Sequence, residues 1–472
     1  MRWVTVATAG AGILAYVVVL VAARVITAEQ FATFIVLWSL WFTTFATMQG
    51  FLRVTAHSVR RAGQLDGRTV IDVNKNGIDD AEELVIASNP LGLTVIEDRT
   101  VDEIRERPAL PDSSHPEPGA DQALAARPLV VAWWAGALLA ALAAAFSPAW
   151  GPVLLSSINS PLAVLLFSLA AGITATQAAF GGLLSGTGRW QTFSTLLFIE
   201  SAVRVAVVIA FVLFGDALTG LMYAAIAGAV VTPVALLTTR AGRECRGLRG
   251  DLPLPDFLMR AASALAAAAV PSVLIVGAPA LIRFLRPDID ALVLGNLFFA
   301  LVVIRGVVLT PVTSFQNAVK MYFRQHLHRG RAALLLPLGV VAAAGVPVSL
   351  LLWVVSPILF EFFGASYLLS GDIIGQLAIG AVVTAGLYVT SAAVRAHSNE
   401  LVDLLGWAAA LIVTATVLLA VPDPLLAVTV SLVAGPAFGM FLHLVAGFAA
   451  RPHGLNTEPG PRSTPEPQNV SH

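Results

Sequence analysis

Twelve apolar stretches, each long enough to cross a bilayer as a helix, occupy most of this 472-residue chain. A transmembrane helix needs about 20 apolar residues to span a hydrocarbon core of about 30 Å. Lipid offers the backbone no hydrogen bonds, and these stretches are too long for the tilted strands of a barrel. With 57% apolar and 12% charged residues, too little polar surface remains for a soluble globule. The sequence therefore predicts an all-α polytopic membrane protein with about 12 transmembrane helices.

The basic residues cluster at alternate gaps between these stretches. One set of gaps holds Arg53, Arg60 and Arg61; Arg189; Arg240, Arg243, Arg246 and Arg249; Lys320, Arg324, Arg329 and Arg331; Arg395; and Arg451. The other set offers only Arg24, Arg283 and Arg286. Because Lys and Arg near the ends of spans favour the cytoplasmic side, both termini are predicted to be cytoplasmic.

A weak internal repeat predicts two halves of six helices around a central cavity. AARVITAEQF in the first half corresponds to LIRFLRPDID in the second, and halves of six spans would be parallel repeats about an axis along the membrane normal. We divide the chain into helices 1 and 2 (1–61), a hydrophilic cytoplasmic insert (62–128), helices 3 to 6 (129–250), helices 7 to 12 (251–450) and a tail (451–472). The tail is rich in Pro, Ser, Thr and Glu and is predicted to be disordered.

Three segments resemble the oligosaccharide (polysaccharide biosynthesis) flippases, whose superfamily also contains lipid II flippases and multidrug and toxin extrusion transporters. The segments are LVAARVITAEQFATFIVLWSL, FGGLLSGTGRWQTFSTLLFIESAVRVAVVI and SPILFEFFGASYLLSGDIIGQLAIG. The resemblance covers Trp3 to about Ala449 without the insert. It implies a V-shaped pair of bundles that opens alternately to the two sides of a bacterial plasma membrane. It also implies a polyprenyl pyrophosphate-linked oligosaccharide as cargo, destined for surface polysaccharide, and a polysaccharide polymerase or glycosyltransferases as possible partners.

Charges inside the spans are the candidate site residues, since each is unfavourable in lipid unless it is paired or faces water. Arg24 matches by position a cavity arginine in the first helix of the resembled family, and its alternative role is an interfacial anchor. Arg305 lies near the middle of the eighth helix, where its planar guanidinium suits phosphate oxygens. Both are predicted to contact anionic cargo.

Glu200 and Arg204 lie one helical turn apart in the fifth span. They are interpreted as a neutralising ion pair, with the alternative that Glu200 exchanges a proton or cation while Arg204 contacts cargo. Arg53, at the cytoplasmic end of the second helix, is a cargo contact or a positive-inside anchor. Arg283, at the outer end of the seventh helix, is a phosphate contact or a headgroup contact.

The insert contains nearly half of the acidic residues and one motif with metal-binding spacing. DVNKNGIDDAEE matches the D-x-N-x-N-G-x5-E pattern of a calcium loop, and it also looks like the calcium-binding repeats of dockerin or thrombospondin type 3. The candidate ligands are Asp72, Asn74, Asn76, Ile78, Asp80 and Glu83. The alternative is an acidic cytoplasmic loop, and no other cofactor is predicted to be required.

Other chemistry finds little support in the sequence. No G-x4-GK[ST] loop is present, so ATP-driven transport within this chain is not expected, and no basic nucleic-acid surface is apparent. A polyprenyl-dependent membrane glycosyltransferase or ligase is one competing class, but the short external gaps offer no obvious catalytic pair. A cation-coupled drug exporter and a non-transporting partner of envelope enzymes are the others. The sequence favours a flippase, not an enzyme.

Overall fold

The computed structural model describes residues 2–65, 125–154, 161–215, 217–314, 316–363, 369–397 and 399–447. The calcium-loop motif and the tail lie outside these described residues, and so does most of the insert. Sixteen α-helices cover most of the described chain, and twelve of them are long and apolar enough to cross a membrane. The predicted all-α, twelve-helix architecture is therefore confirmed.

The first half contains eight helices, of which α4 and α8 are too short to span. They are α1 (Arg2–Val25), α2 (Ala28–Leu65), α3 (Pro128–Ala145), α4 (Ser147–Leu154), α5 (Pro161–Gly186), α6 (Trp190–Phe214), α7 (Ala217–Thr238) and α8 (Arg240–Cys245). The helix α2 continues into the segment that the sequence assigned to the insert. At 38 residues it is about 57 Å long, so it projects beyond a hydrocarbon core.

The second half also contains eight helices, of which α10 and α12 are short. They are α9 (Leu254–Ile275), α10 (Ala278–Leu285), α11 (Ala291–Ser314), α12 (Gln316–Gln325), α13 (Leu335–Phe363), α14 (Gly371–Ala396), α15 (Glu400–Ala420) and α16 (Pro424–Ala446). A 3-10 helix, Leu327–Leu334, connects α12 to α13. The helical conformation is interrupted between α9 and α10, where Gly277 precedes a proline in the first turn of α10.

Within each half the long helices pack side by side. In the first half α5 packs against α2 and α3, and α6 packs against α1 and α7. In the second half α14 packs against α13 and α16, and α16 packs against α15. The two halves meet where α2 lies against α9 and α11. We call this contact the seam.

Small residues allow the closest helix contacts, as is usual in membrane bundles. The segment FGGLLSG, at the end of α5, packs on α2. A Cβ added at Gly182 would lie 2.7 Å from the Cβ of Thr55, and one added at Gly186 would lie 3.0 Å from the Cα of Ala56. At the seam, a Cβ at Gly50 would lie 2.6 Å from the carbonyl carbon of Ala264 in α9. These glycines set how near α2 can come to both of its neighbours.

The two ends of the bundle differ in charge. Near one end, the like charges of Arg53 in α2 and Arg395 repel each other, Ser58 bonds Asp251, and Arg189 bonds Glu244. We call this end the arginine-rich face. At the opposite face, aromatic side chains from α2 and α11 form a shared core, in which the rings of Phe31 and Phe299 meet at 5.9 Å.

Candidate functional site

The first half contains a buried polar cluster centred on Glu200 in α6. The Arg204 guanidinium lies 4.0 Å from the Glu200 carboxylate, and both side chains are buried. Gln177 of α5 donates to Glu200 Oε1 at 3.0 Å, and Thr232 of α7 donates to the same oxygen. Glu200 therefore joins three helices, and its charge is offset from within its own helix.

A cavity of about 20 Å³ lies beside this cluster, lined by Gln49, Gln177, Glu200 and Thr232 among others. The side-chain oxygens of Gln49 and Gln177 are buried and have no hydrogen-bond partner among the described residues. A space of this size holds about one water molecule. The cluster therefore offers unpaired acceptors beside a carboxylate, which suits a water, a proton or a small cation.

Arg204 is held by packing as well as by charge. Its guanidinium carbon lies 5.9 Å from the centroid of the Phe42 ring, a distance at which a cation is attracted to an aromatic face. Gly228 of α7 leaves room for it, since a Cβ there would lie 2.7 Å from the Arg204 Cγ. Arg204 is thus fixed inside the first half.

Arg305 has different surroundings in the second half. It lies in α11, is 9% exposed, and donates from Nη1 to the Ile275 carbonyl at the end of α9. Among the described residues, no carboxylate pairs with it. The next residue, Gly306, packs against the ring of Tyr16 in α1, and Tyr16 is 3.3 Å from Thr310. Arg305 is therefore a buried cation without a counter-charge, close to the seam.

A third polar group, which the sequence analysis missed, lies in the second half near the arginine-rich face. Asp403 of α15 accepts from Ser391 at 2.6 Å and lies 3.7 Å from Arg395 Nε. His443 of α16 has its Nε2 3.7 Å from Asp403 Oδ1, and Trp407 donates to Ser391 at 3.1 Å. The one sequence signal for this network was a lone histidine inside the apolar run FLHLVAG.

Arg53 connects this network to the first half. Its Nε donates weakly to the Gln49 carbonyl in its own helix, at 3.4 Å. The charges of Arg395, Glu400 and Asp403, all from the second half, act on its guanidinium. Arg53 therefore lies in the electric field of the second half, where repulsion from Arg395 opposes attraction to Glu400 and Asp403. Neither sequence interpretation anticipated this position.

Arg24 and Arg283 lie toward the opposite face. Arg24 is exposed near the end of α1. Arg283 donates to the Val153 carbonyl of α4 at 3.1 Å and to the Ile289 carbonyl at 3.3 Å, which ties α10 to the first half. The structure thus does not bring the five predicted arginines to one point: Arg24 and Arg283 lie toward one face, Arg53 toward the other, and Arg204 and Arg305 within separate halves.

The neighbouring Arg286 is a well-bonded arginine near that face. It donates to both carboxylate oxygens of Asp288 at 2.9 Å and to backbone carbonyls at the end of α15, including Val421 at 2.9 Å. The hydrogen bonds from Arg286 lower the pKa of Asp288. Its donors bond the carbonyl groups at the C-terminal end of α15, which have no partner within that helix, so Arg286 has a structural role.

Comparison with solved structures identifies the fold. The chain superposes on the inward-facing conformation of a multidrug resistance MATE family transporter of the MOP superfamily with a TM-score of 0.65, at 13% identity, covering 92% of this chain and 93% of that one. It superposes on an outward-facing conformation of a MATE family transporter with a TM-score of 0.55, at 14% identity, covering 94% and 92%. The protein therefore has the fold of MATE transporters of the MOP superfamily.

Comparison with curated sequences identifies the family. No family model matches the sequence. The chain is 32% identical over 327 residues to the uncharacterized protein Rv1510 of Mycobacterium tuberculosis (strain ATCC 25618 / H37Rv), covering 69% of this chain and 75% of the relative. It is 26% identical over 447 residues to the uncharacterized protein Mb3654 of Mycobacterium bovis, covering 93% and 90%. The chain belongs to the same protein family as Rv1510.

Proposed function

We propose that this protein is an alternating-access transporter that moves a polyprenyl pyrophosphate-linked oligosaccharide from the cytoplasmic to the outer leaflet of a bacterial plasma membrane, for surface polysaccharide. In this proposal both termini and the arginine-rich face are cytoplasmic, as the positive-inside rule predicts. The MATE fold supports the transport mechanism. The buried arginines favour an anionic cargo, and the resemblance to the oligosaccharide flippases implies that this cargo is a polyprenyl-linked sugar.

The observation that carries the proposal is the unneutralised Arg305. A guanidinium has five donors in a planar fork, and the described structure gives this one a single backbone carbonyl as acceptor. A pyrophosphate would supply the missing negative charge and bidentate oxygen acceptors. Because Arg305 lies beside the seam, a change in the relative position of the halves would alter access to it.

The physical task of such a transporter is to move charge and hydroxyl groups past hydrocarbon. Sugars and phosphates cannot enter lipid without losing their hydrogen bonds to water, whereas the polyprenyl tail can stay in the bilayer throughout. Arg53 at the arginine-rich face and Arg24 toward the opposite face would contact the cargo before and after Arg305. No covalent bond has to be broken.

The test is mass spectrometry of polyprenyl-linked glycans in host cells that lack this gene, complemented with variants at equal protein abundance. Arg305→Ala should cause a finished lipid-linked glycan to accumulate and surface polymer to be lost, as in the deletion. Arg260→Ala is the matched control, because Arg260 is an exposed arginine near the start of α9. Retained transport with Arg305→Ala would refute the cargo role of Arg305. Loss of one glycan linkage without accumulation would indicate an enzyme instead.

A second candidate is a cation-coupled drug exporter, which the buried carboxylate Glu200 and its small polar cavity favour. Such an exporter needs an acidic group that binds a cation or proton. In this case Glu200→Gln would raise drug susceptibility while lipid-linked glycans stay unchanged. The same cells and the same variants therefore separate the two functions.

A further inference from the structure

His443 lies in a closely fitting seat inside the second half. The side chain is 0% exposed, yet polar atoms of α14 and α15 face both ring nitrogens. Gly406 of α15 makes the seat possible, because a Cβ there would lie 2.9 Å from the His443 Cε1. The imidazole therefore rests directly on the backbone of a neighbouring helix.

The hydrogen bonds around the ring accommodate one more proton than a neutral imidazole has. Nε2 faces two acceptors, the Asp403 carbonyl at 3.2 Å and Asp403 Oδ1 at 3.7 Å, so it carries a hydrogen. Nδ1 faces the Thr390 hydroxyl at 3.1 Å. That hydroxyl has a single hydrogen and a second acceptor, the Leu387 carbonyl at 3.0 Å.

The Thr390 hydroxyl can therefore serve either protonation state. With a neutral ring it donates to Nδ1. When a proton binds Nδ1, the new N–H donates to Thr390 Oγ1 and the hydroxyl hydrogen turns to the Leu387 carbonyl. No heavy atom has to move, and no buried donor is left unsatisfied. The loss of hydration remains as the penalty for charging the buried ring.

We propose that His443, with Asp403 and Thr390, is a proton-binding site of the second half. The Asp403 side chain is 15% exposed, so it connects the buried ring to water. Its carboxylate is the counter-charge of the protonated ring, and a carboxylate beside an imidazole favours the charged form.

The other charges facing the site connect it to the seam. Arg395 of α14 lies 3.7 Å from Asp403 Oδ2, and its positive charge disfavours a proton on His443. The charges of Asp403, Arg395 and Glu400 also reach Arg53 of α2. Arg53 is repelled by Arg395 and attracted by Glu400 and Asp403. A proton on His443 adds a third cation around Asp403, so it offsets part of the attraction between Asp403 and Arg53. Proton binding should favour separation of the halves at the arginine-rich face. Its coupling to cargo movement rests on the proposed transport function.

The test is a titration of the full-length protein in lipid nanodiscs with ¹⁵N-labelled histidine, followed by NMR from pH 5 to pH 9. The resonances lost in His443→Gln identify the ring, and a protein that keeps only His443 of the eight histidines gives the same assignment if that variant is scarce. The ring should change protonation state within this range. A ring that keeps one protonation state throughout would overturn the proposal.

Matched variants test the two parts of the mechanism. Thr390→Val keeps the shape of the side chain but removes the rotating hydroxyl, so it should lower the titration midpoint by about one pH unit, a tenfold loss of proton affinity; Thr390→Ser should leave the midpoint in place. By reciprocity, Arg53→Gln should raise the midpoint, and an unchanged midpoint would refute the link to the seam. The titration needs no cargo, so failure of the proposed transport function would leave its outcome unaffected.

Discussion

The first half of the molecule encloses Arg204 together with its counter-charge, Glu200, one turn away on the same helix. The second half encloses Arg305 with a backbone carbonyl as its hydrogen-bond partner, and its half-buried carboxylate, Asp403, belongs to a separate network. A neutralised pair that bonds three helices suits a scaffold. An unneutralised cation beside the seam suits a binding residue. Sequence spacing already separates the two arginines, because only Arg204 has an acidic residue one helical turn away.

The largest effects on stability and on transport are expected from the two arginine-to-alanine variants. Arg204→Ala leaves Glu200 buried and uncompensated, and removing one partner of a buried pair typically lowers the free energy of unfolding by about 3–5 kcal/mol. Arg305→Ala orphans no carboxylate, so the protein should keep its abundance and lose transport. Abundance in membranes and transport, measured on both variants, check this contrast.

The double variant Glu200→Gln with Arg204→Gln is the control for the first half. It removes both charges and should recover much of the abundance that Arg204→Ala loses. Equal abundance of the Arg204→Ala and Arg305→Ala proteins would show that loss of a buried arginine destabilises both halves to the same extent.

A smaller loss of stability is expected from a substitution at the seam that joins the two halves. In Gly50→Ala the added methyl group would lie 2.6 Å from the Ala264 carbonyl carbon and 2.9 Å from the Leu265 nitrogen, so α2 and α9 must move apart. Overpacking of this kind typically destabilises by about 1–3 kcal/mol. Thermal unfolding in detergent measures it. The control is Gly339→Ala, where the new methyl group meets no atom within 4 Å, and a similar loss in both variants would argue against a tight seam.

The ion pairs at the arginine-rich face of the first half are expected to make a smaller, pH-dependent contribution to the stability of the fold. Hydrogen bonds from Arg240 and Arg189 lower the pKa of Glu244. Since its folded pKa lies below the unfolded value, its contribution is present above the unfolded pKa of about 4.3 and is lost as the pH falls through the folded pKa. The melting temperatures of wild type and Glu244→Gln should therefore differ at pH 7 and converge below about pH 4. A difference that grows on acidification would contradict this sign.

The smallest effect concerns Cys245, the one cysteine in the chain. Burial raises the pKa of its thiol to about 11, so little reactive thiolate is present at pH 7. Maleimide should label the folded protein slowly and the denatured protein quickly. Rapid labelling of the folded protein would show that α8 opens easily, and would weaken the description of the first half as a closed scaffold.

The sequence by itself determined the number of spans, because hydropathy over about 20 residues is a local property. It also located Glu200 and Arg204 as neighbours, since residues four apart share a helix face. The segment FGGLLSG belongs to the stretch that resembles the oligosaccharide flippases. The structure shows that its glycines allow α5 to pack closely on α2.

Only the tertiary structure decided which buried charges are satisfied. His443 lies 40 residues from Asp403 and 53 from Thr390, and the charge of Arg53 is influenced by charged groups of the second half. Such contacts depend on how each helix is rotated and on which helices touch. Those features arise from packing between distant segments, which apolar periodicity within one span does not encode.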